Sequence, residues 1–218
     1  VTNPWKLTLE LDGVTKFALW KNAVGRMGGF VEGWQFEIAA YQFDKYLGLN
    51  MVPPTVEKRF KDQRGSCQLF ADYWIKLKQK VEKKIAVPED KIDNWNRDLS
   101  LQRAFDNLIS NEDRHQNNYL ITQDWRMILI DHSRSFRTGK KWTTQLLYGP
   151  KNPEKLVMKE LPRAFFEKIK ALNFDLIKEF SLGYLTDDEI NAVLARRDLI
   201  VQEIDDLIKK KGEENVLY

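Results

Sequence analysis

The chain has 218 residues and a mass of 25.7 kDa, and 43% of the residues are hydrophobic. This is enough apolar material for a sizeable core, in one large domain or two small lobes, and it excludes an intrinsically disordered chain. The 35 lysine and arginine residues nearly balance the 32 aspartate and glutamate residues, so the charge does not indicate a nucleic-acid partner. No apolar run reaches the roughly 18 residues of a membrane span. A single cysteine, Cys67, excludes an internal disulfide.

The sequence opens at Val1, with neither a methionine nor the apolar segment of a signal peptide. We therefore expect the natural N-terminus to lie outside this chain. The compartment is left open, with the cytoplasm as the favoured expectation.

A β-hairpin is predicted over residues 6–21, "KLTLELDGVTKFALWK". Leucines alternate with polar residues in its first half, and Asp12-Gly13 is a dipeptide that favours a two-residue turn. Alternation in the second strand places Lys21 on one face and Lys16 on the opposite face.

The next segment, "NAVGRMGGFVEG", contains several glycines and is interpreted as a flexible connection. In "WQFEIAAYQFDKYLGL" the apolar residues recur at helical spacing, and Gly48 is expected to end the helix. Two short strands are predicted in "MVPPTVEKRF" and "SCQLFADYW", on either side of a polar turn.

From about Asp72 onwards the segments with clear periodicity are helical: "WIKLKQKVEKKI", "WNRDLSLQRAFDNLI", "LPRAFFEKIKALNFDLIKEFSL" and "TDDEINAVLARRDLIVQEIDDLIKKKG". The last of these opens with a capping box between Thr186 and Glu189. The chain is therefore predicted to have an α+β fold with two lobes. A small β-rich N-lobe with one helix would occupy residues 1–72, and a helical C-lobe interrupted by one hairpin would occupy residues 73–218.

The central hairpin, "NYLITQDWRMILID", is predicted to turn at Asp124-Trp125. A two-residue turn there places Asn118 directly opposite Asp131, with Cβ atoms roughly 4.5–5.5 Å apart. Carboxylate and amide oxygens are the hard ligands that Mg²⁺ or Mn²⁺ accepts. These two side chains are therefore expected to form a metal site at the open end of the hairpin.

Just before the hairpin, Asp113, Arg114 and His115 form an Asp-Arg-His-x-x-Asn pattern that ends at Asn118. This pattern, followed by a hairpin and an apolar strand ending in aspartate, resembles the catalytic and metal-binding loops of atypical kinases. Phosphoinositide kinases, secretory-pathway kinases and bacterial kinase-like proteins have loops of this form. The segments "NPWKLTL", "EIAAYQFDKYLGL" and "VPPTVE" are similar to uncharacterised bacterial proteins of this kind, and the resemblance covers roughly residues 1–140.

The resemblance implies a kinase-like fold that binds a nucleotide between its lobes. It implies that Asp113 orients the attacking hydroxyl or takes its proton. It also implies that Asn118 and Asp131 hold a divalent metal on the nucleotide phosphates. Where protein kinases have Asp-Phe-Gly, this chain has Asp131-His132-Ser133.

The resemblance further implies residues for nucleotide binding. Lys21 would contact the α- and β-phosphates, and Glu37 would pair with Lys21. Residues 68–73, which include Gln68 and Phe70, would form the hinge whose backbone meets the adenine. A glycine-rich phosphate loop would lie before or within the first hairpin, ahead of the glycines noted above.

Three loop residues allow two interpretations each. Asp113 is a simple turn residue in the alternative without chemistry. Arg114 is either a catalytic residue or a structural one that bonds loop carbonyls or a carboxylate. His115 is either the general base or a residue that positions the loop.

The predicted function is an ATP- and Mg²⁺- or Mn²⁺-dependent phosphotransferase acting on a hydroxyl of a protein, a lipid or a small molecule. One alternative is a pseudokinase, which binds nucleotide or a protein partner without turnover. Another is an enzyme of the same fold that transfers AMP. Neither a nucleic-acid partner nor a membrane span is expected.

Overall fold

The computed structural model of the protein describes residues 4–27, 30–151 and 156–218. A β-rich N-terminal part precedes a helical C-terminal part, which confirms the predicted α+β class. The lobe boundary between residues 72 and 73 stays a prediction. Within the described ranges, every helix is too short or too polar to cross a bilayer.

The strands are β1 (Trp5–Leu11), β2 (Val14–Lys21), β3 (Val24–Met27), β4 (Phe30–Gly33), β5 (Thr55–Phe60), β6 (Gln63–Leu69), β7 (Ile75–Lys76), β8 (Tyr119–Ile121) and β9 (Met127–Leu129). The helices are α1 (Trp34–Leu47), α2 (Leu77–Glu82), α3 (Ile92–Ile109), α4 (Lys140–Thr144), α5 (Arg163–Ala171), α6 (Phe174–Phe180) and α7 (Asp187–Lys211). The strands form three antiparallel sheets in the orders β1-β2-β6-β5, β3-β4 and β7-β8-β9.

The first predicted hairpin is confirmed. Leu11 pairs with Val14 across Asp12 and Gly13, whose φ angles are +50° and +77°. Positive φ at both central residues is typical of a type I′ turn, whose twist matches that of the paired strands. The second strand of the hairpin ends at Lys21.

The predicted flexible connection after Lys21 is wrong, because the segment forms the β3–β4 hairpin. Val24 pairs with Gly33, and Gly28 and Gly29 lie outside the described residues. The amide of Gly33 donates to the carbonyl oxygen of Ser133 at 2.9 Å. This hairpin therefore attaches the N-terminal part to the chain segment that follows the central hairpin.

Helix α1 and its predicted end are confirmed. Gly48 has a φ of +76°, and its amide donates to the carbonyl oxygen of Asp44, as in a glycine-terminated helix. The Asp44 carboxylate then accepts the amides of Met51 and Val52, which turns the chain towards β5. The buried apolar residues of α1 are Phe36, Ile38, Ala39, Ala40, Phe43 and Leu47.

A continuous hydrophobic cluster joins α1 to the helical part. Its fully buried members include Phe43 of α1, Phe105 of α3 and Phe166 of α5. The four-stranded sheet adds a separate small cluster of Ala18, Trp20 and Cys67. Helix α1 is thus fixed on the helical part, and any residue in its first turn has a defined position relative to the central hairpin.

The central hairpin forms, but its predicted register is wrong by one residue. Tyr119 pairs with Leu129, and the connection has five residues, 122–126, rather than two. The Thr122 hydroxyl accepts the Arg126 amide at 3.0 Å, and Trp125 has a φ of +67°. This side-chain-to-backbone bond closes a longer loop than the predicted two-residue turn.

The register change moves the two predicted metal ligands relative to each other. Asn118 lies opposite Ile130, whose amide donates to the Asn118 carbonyl oxygen at 3.1 Å. Asp131 follows beyond the paired residues. The expectation that Asn118 and Asp131 face each other directly across the ladder is therefore wrong.

Two helical segments are shorter than their periodicity suggests. In "WIKLKQKVEKKI" only Leu77–Glu82 is helical, because Ile75 and Lys76 pair with β8. The segment "LPRAFFEKIKALNFDLIKEFSL" is divided into α5 and α6. The break lies at Asn173, whose side chain accepts the Leu176 amide and caps α6.

A buried arginine of α7, Arg196, fixes the segment after the central hairpin. Its Nε donates to the Leu108 carbonyl oxygen at 2.8 Å, and its Nη1 donates to the Arg137 carbonyl oxygen at 2.7 Å. Burial lowers the pKa of Arg196 to about 9, so the side chain stays charged at neutral pH. It links the C-terminal end of α3 and the chain at Arg137 to α7.

The predicted capping box of α7 is confirmed. The Thr186 hydroxyl accepts the Glu189 amide at 3.3 Å, and Glu189 Oε2 accepts the Thr186 amide at 2.8 Å. Two amides at the start of the longest described helix are thereby satisfied.

Thr186→Ala is expected to lower the free energy of unfolding by about 1 kcal/mol, because an N-cap hydroxyl is lost. Urea unfolding at neutral pH would measure the change. Thr186→Ser keeps the hydroxyl and should remain close to the wild type. Equal losses in both variants would show that the methyl group of Thr186, rather than its cap, stabilises α7.

Candidate functional site

Three side chains from separate elements form an ion-pair cluster. Lys21 is the last residue of β2, Glu37 lies in the first turn of α1, and Asp131 follows β9. Lys21 Nζ lies 2.8 Å from Glu37 Oε1 and 2.9 Å from Asp131 Oδ1. The structure thus brings together the predicted phosphate-binding lysine, its predicted partner and one predicted metal ligand.

The backbone at Asp131 has a left-handed conformation, with a φ of +63°. For a residue with a side chain this conformation costs roughly 1–2 kcal/mol. Hydrogen bonds on both sides hold it. Arg114 Nη1 donates to the Ile130 carbonyl oxygen at 2.6 Å, and the His132 amide donates to Glu37 Oε2 at 3.0 Å. The Asp131 side chain is therefore held in place by its neighbours rather than by the strand ladder.

The electrostatics of the cluster favour the charged forms of both Lys21 and Glu37. Burial disfavours the ammonium of Lys21, but Glu37 and Asp131 outweigh it and raise the pKa of Lys21. Burial likewise disfavours the carboxylate of Glu37, yet Lys21 and His132 hold the pKa of Glu37 well below its ordinary value. The pair therefore presents a fixed positive charge on Lys21 at neutral pH.

His132 is neutral, and its contacts define its tautomer. Burial lowers the pKa of this imidazole. Its Nε2 lies 2.8 Å from Arg114 Nη2, and an arginine can only donate, so Nε2 is the acceptor and Nδ1 carries the proton. Nδ1 lies 3.6 Å from Glu37 Oε2. His132 thus lies between Arg114 and Glu37 and accepts a hydrogen bond from Arg114.

Arg114 is fully buried and bonds to several groups around the loop. It forms a two-pronged ion pair with Asp106 of α3, at 2.9 Å and 3.1 Å. Its Nη1 also donates to the carbonyl oxygens of Asn118 and Ile130, at 3.0 Å and 2.6 Å. Contacts with a carboxylate and with loop carbonyls are those expected of Arg114 in the structural interpretation.

Asp113 is held by its backbone and keeps a partly exposed carboxylate. Its amide donates to Asn111 Oδ1 at 3.1 Å, and its carbonyl oxygen accepts the Asn118 side-chain amide at 2.9 Å. The side chain is 31% exposed, and Oδ2 lies 3.3 Å from Arg134 Nη1. A fixed backbone with an accessible carboxylate suits a residue that contacts a substrate hydroxyl.

Asn118 and Asp131 have the donor atoms that a divalent metal on a nucleotide needs. The Asn118 nitrogen is used by the Asp113 carbonyl oxygen, so its Oδ1 is the atom that could ligate a metal. Asp131 keeps a 34% exposed carboxylate. The described residues contain no group of three or more acidic, histidine or cysteine side chains suited to a metal. Mg²⁺ on nucleotide phosphates needs only one or two protein carboxylates, so the residues present fit this ion.

His115 lies on the same loop but outside these contacts. Its Nδ1 accepts the Asn117 amide at 3.2 Å, and the residue is exposed. This bond caps the short turn at Gln116–Asn118. This contact is typical of a residue that positions the loop. Among the hydrogen bonds of the described residues, none involves His115 Nε2.

The predicted hinge leads from β6 towards β7. Gln68 is buried, and its side chain donates to the Thr55 hydroxyl at 2.9 Å. The Phe70 amide donates to the Phe17 carbonyl oxygen at 2.8 Å, so this amide is already used within the protein. Phe70 also lines a cavity of about 620 Å³ that includes Leu69. Adenine contacts by residues 68–73 stay a prediction.

Three residues of this region escaped the sequence analysis: Asp106, Glu32 and Arg134. Asp106 is buried on α3 and pairs with Arg114. Arg134 lies three residues after Asp131 and bridges Glu32 of β4 to Asp113. An acidic residue at a buried position of an amphipathic helix is a signal that could have indicated Asp106. No local pattern indicated the other two.

No family model matches the chain, and no curated protein matches it. Among solved structures, the chain is similar to the Helicobacter pylori proinflammatory kinase CtkA. The TM-score is 0.56 at 12% sequence identity, and the match covers 96% of this chain and 91% of that chain. The chain is also similar to a chain in the complex of HipA, HipB and operator DNA from the Shewanella oneidensis MR-1 toxin–antitoxin system. There the TM-score is 0.47 at 16% identity, and the match covers 94% of this chain and 66% of that chain.

The similarity to CtkA extends over nearly the whole of both chains and shows a shared fold. The predicted kinase-like fold is thereby confirmed. At 12% identity the comparison does not extend to the activity, and the roles of the individual residues stay predictions.

Proposed function

We propose that this chain is an ATP-dependent phosphotransferase that uses Mg²⁺ or Mn²⁺ and acts on a hydroxyl acceptor. The observation that carries this proposal is the contact of Lys21 with both Glu37 and Asp131. Kinases need a lysine held by a helix glutamate and, near it, a metal-binding aspartate. The fold shared with a protein described as a kinase supports the same activity.

In the proposed reaction Lys21 provides a fixed positive charge for the α- and β-phosphates, and Glu37 orients it. Asp131 and Asn118 hold the divalent metal, which neutralises phosphate charge when bound. Phosphoryl transfer depends mainly on positioning and charge neutralisation. This small set of side chains is therefore chemically sufficient.

Asp113 serves the acceptor side of the proposed reaction. The acceptor oxygen forms a bond to the γ-phosphorus of ATP while the bond from that phosphorus to the β–γ bridging oxygen breaks. The hydroxyl proton passes to the Asp113 carboxylate, and the electron pair of the broken bond stays on the bridging oxygen of ADP. A protein serine, a lipid head group and a small alcohol all present a suitable hydroxyl.

The proposal is tested by thermal unfolding with ATP, in the presence and absence of Mg²⁺, for the wild type and Asp131→Ala. At about one hundred times its dissociation constant, a ligand adds about 2.7 kcal/mol to stability. We expect this stabilisation in the wild type with Mg²⁺ and its loss in Asp131→Ala, because the variant lacks a metal ligand.

Asp198→Ala is the matched control, because Asp198 is 68% exposed on α7. It should respond to Mg²⁺ and ATP like the wild type. Equal stabilisation of Asp131→Ala and the wild type would remove Asp131 from the nucleotide site. Absence of any stabilisation in the wild type would contradict nucleotide binding by this chain.

A further inference from the structure

Arg134 connects the candidate catalytic aspartate to the β3–β4 hairpin. Its Nε lies 2.7 Å and its Nη2 lies 2.6 Å from Glu32 Oε1. On another side of the guanidinium, Nη1 lies 3.3 Å from Asp113 Oδ2. One arginine thus contacts two carboxylates that are 81 positions apart in the sequence, from residue 32 to residue 113.

Two contacts fix the backbone next to Arg134 and the Nε edge of its guanidinium. The Gly33 amide donates to the Ser133 carbonyl oxygen, which attaches the backbone next to Arg134 to β4. Glu32 is only 5% exposed and binds the Nε edge. A guanidinium held along one edge keeps a defined direction for its third nitrogen, here Nη1. Here that direction is towards Asp113.

The charge of Arg134 is secured by its surroundings. Burial opposes the charged form, but the hydrogen bond that Arg134 donates to Glu32 and the charges of Asp113, Glu32 and Asp131 raise the pKa of Arg134. Lys21 contacts Asp131, and Arg134 contacts Asp113. Each of the two candidate functional aspartates therefore has its own cation.

We propose that Arg134 is a further catalytic residue, whose guanidinium leaves Asp113 and binds the transferring phosphoryl group. This inference rests on the proposed function. An acceptor oxygen within hydrogen-bond reach of Asp113 (about 2.6–3.2 Å) brings the phosphorus it attacks next to that residue. Arg134 Nη1 is already 3.3 Å from Asp113 Oδ2. A small change of direction therefore transfers its hydrogen bond to a phosphoryl oxygen.

The movement of Arg134 from Asp113 to a phosphoryl oxygen changes the interactions of both groups. Asp113 loses its ion pair and becomes available to the acceptor proton, while a phosphoryl oxygen gains a charged hydrogen-bond donor. Arg134 itself neither gains nor loses a proton or an electron pair; the bonds formed and broken are those of the proposed reaction. Glu32 remains bound to Arg134 throughout and acts as a positioning residue.

The direct test is the binding of ADP with Mg²⁺ and aluminium fluoride, which imitates the transferring phosphoryl group. A group that acts mainly in the transition state strengthens binding of such an analogue far more than binding of ATP. Isothermal titration would compare the wild type, Arg134→Ala, Arg134→Lys and the exposed control Arg163→Ala. Turnover would be measured in parallel as ADP formation from ATP, with water as the hydroxyl acceptor.

We expect Arg134→Ala to lose about 10³-fold in turnover, as for other arginines that contact a transferring phosphoryl group. It should also lose the tighter binding of the aluminium fluoride complex, with little change in affinity for Mg²⁺ and ATP. Arg134→Lys should recover part of the turnover and part of the tighter binding of the aluminium fluoride complex. Added guanidinium ion should raise the turnover of Arg134→Ala but not that of the other proteins. Arg163→Ala should match the wild type.

Three outcomes would overturn the inference while leaving the proposed function intact. The first is wild-type turnover in Arg134→Ala. The second is equal binding of the aluminium fluoride complex by the wild type and Arg134→Ala. The third is a loss explained entirely by a fall in ATP affinity or in stability. A wild type that binds no Mg²⁺ and ATP would overturn the proposed function itself, and this inference with it.

Discussion

Asp113→Ala is expected to lower turnover by about 10²–10⁴-fold, because the variant cannot take the proton of the attacking hydroxyl. Affinity for ATP and Mg²⁺ should stay close to that of the wild type, since the proposed function places Asp113 at the acceptor rather than at the nucleotide. ADP formation with water as acceptor measures the first quantity. Thermal unfolding with ATP and Mg²⁺ measures the second.

Asp113→Asn sharpens this test. It keeps the shape of the side chain and a hydrogen bond to a hydroxyl, but it cannot accept the proton, so its loss should approach that of Asp113→Ala. Wild-type turnover in both variants would make Asp113 a turn residue. Nucleotide binding without turnover in the wild type would make the chain a binding module. The intact mass of a modified acceptor separates transfer of phosphate from transfer of AMP.

The elements that the sequence predicted correctly are governed by local rules. The Asp12-Gly13 turn, the end of α1 at Gly48 and the capping box at Thr186 each depend on residues within four positions of one another. Backbone conformation and short-range hydrogen bonds decide such features. These features therefore depend little on the tertiary structure around them.

The central hairpin shows where local rules fail. Its strands were located correctly, but the register depended on the choice of turn. The Thr122 hydroxyl accepts the Arg126 amide, and Trp125 adopts a positive φ. A tryptophan rarely adopts that conformation, so no turn preference predicts it. Packing of Trp125 against Trp74 and Trp95 accompanies the five-residue loop.

The candidate site was predictable only in the part that the resemblance covers, which includes the pairing of Lys21 with Glu37. Asp113, Asn118 and Asp131 belong to one short pattern, and their roles stay predictions. The bridge formed by Arg134 requires Glu32 in β4, in a segment that the sequence analysis interpreted as a flexible connection. Once that hairpin was missed, its buried carboxylate and the arginine it orients could not be assigned.

Arg114→Ala should be strongly destabilising, because it leaves the Asp106 carboxylate without its ion-pair partner in the core. Both side chains are fully buried. Removal of one partner of a buried ion pair typically costs about 3–5 kcal/mol, a large fraction of the roughly 5–15 kcal/mol that stabilises a domain. The loss should exceed that of any other single substitution considered for this chain. Urea unfolding, with Arg163→Ala as the exposed arginine control, measures it.

A double variant separates the ion pair from the loop contacts of Arg114. Asp106→Leu combined with Arg114→Met removes both charges and keeps apolar volume, so it should recover part of the stability. The carbonyl oxygens of Asn118 and Ile130 would still lack their donor, so the loop that carries the candidate metal ligands should be displaced. A stable double variant with low affinity for Mg²⁺ and ATP is therefore the expected result. A stable Arg114→Ala protein that has lost only turnover would instead make Arg114 a catalytic residue, the interpretation that its complete burial argues against.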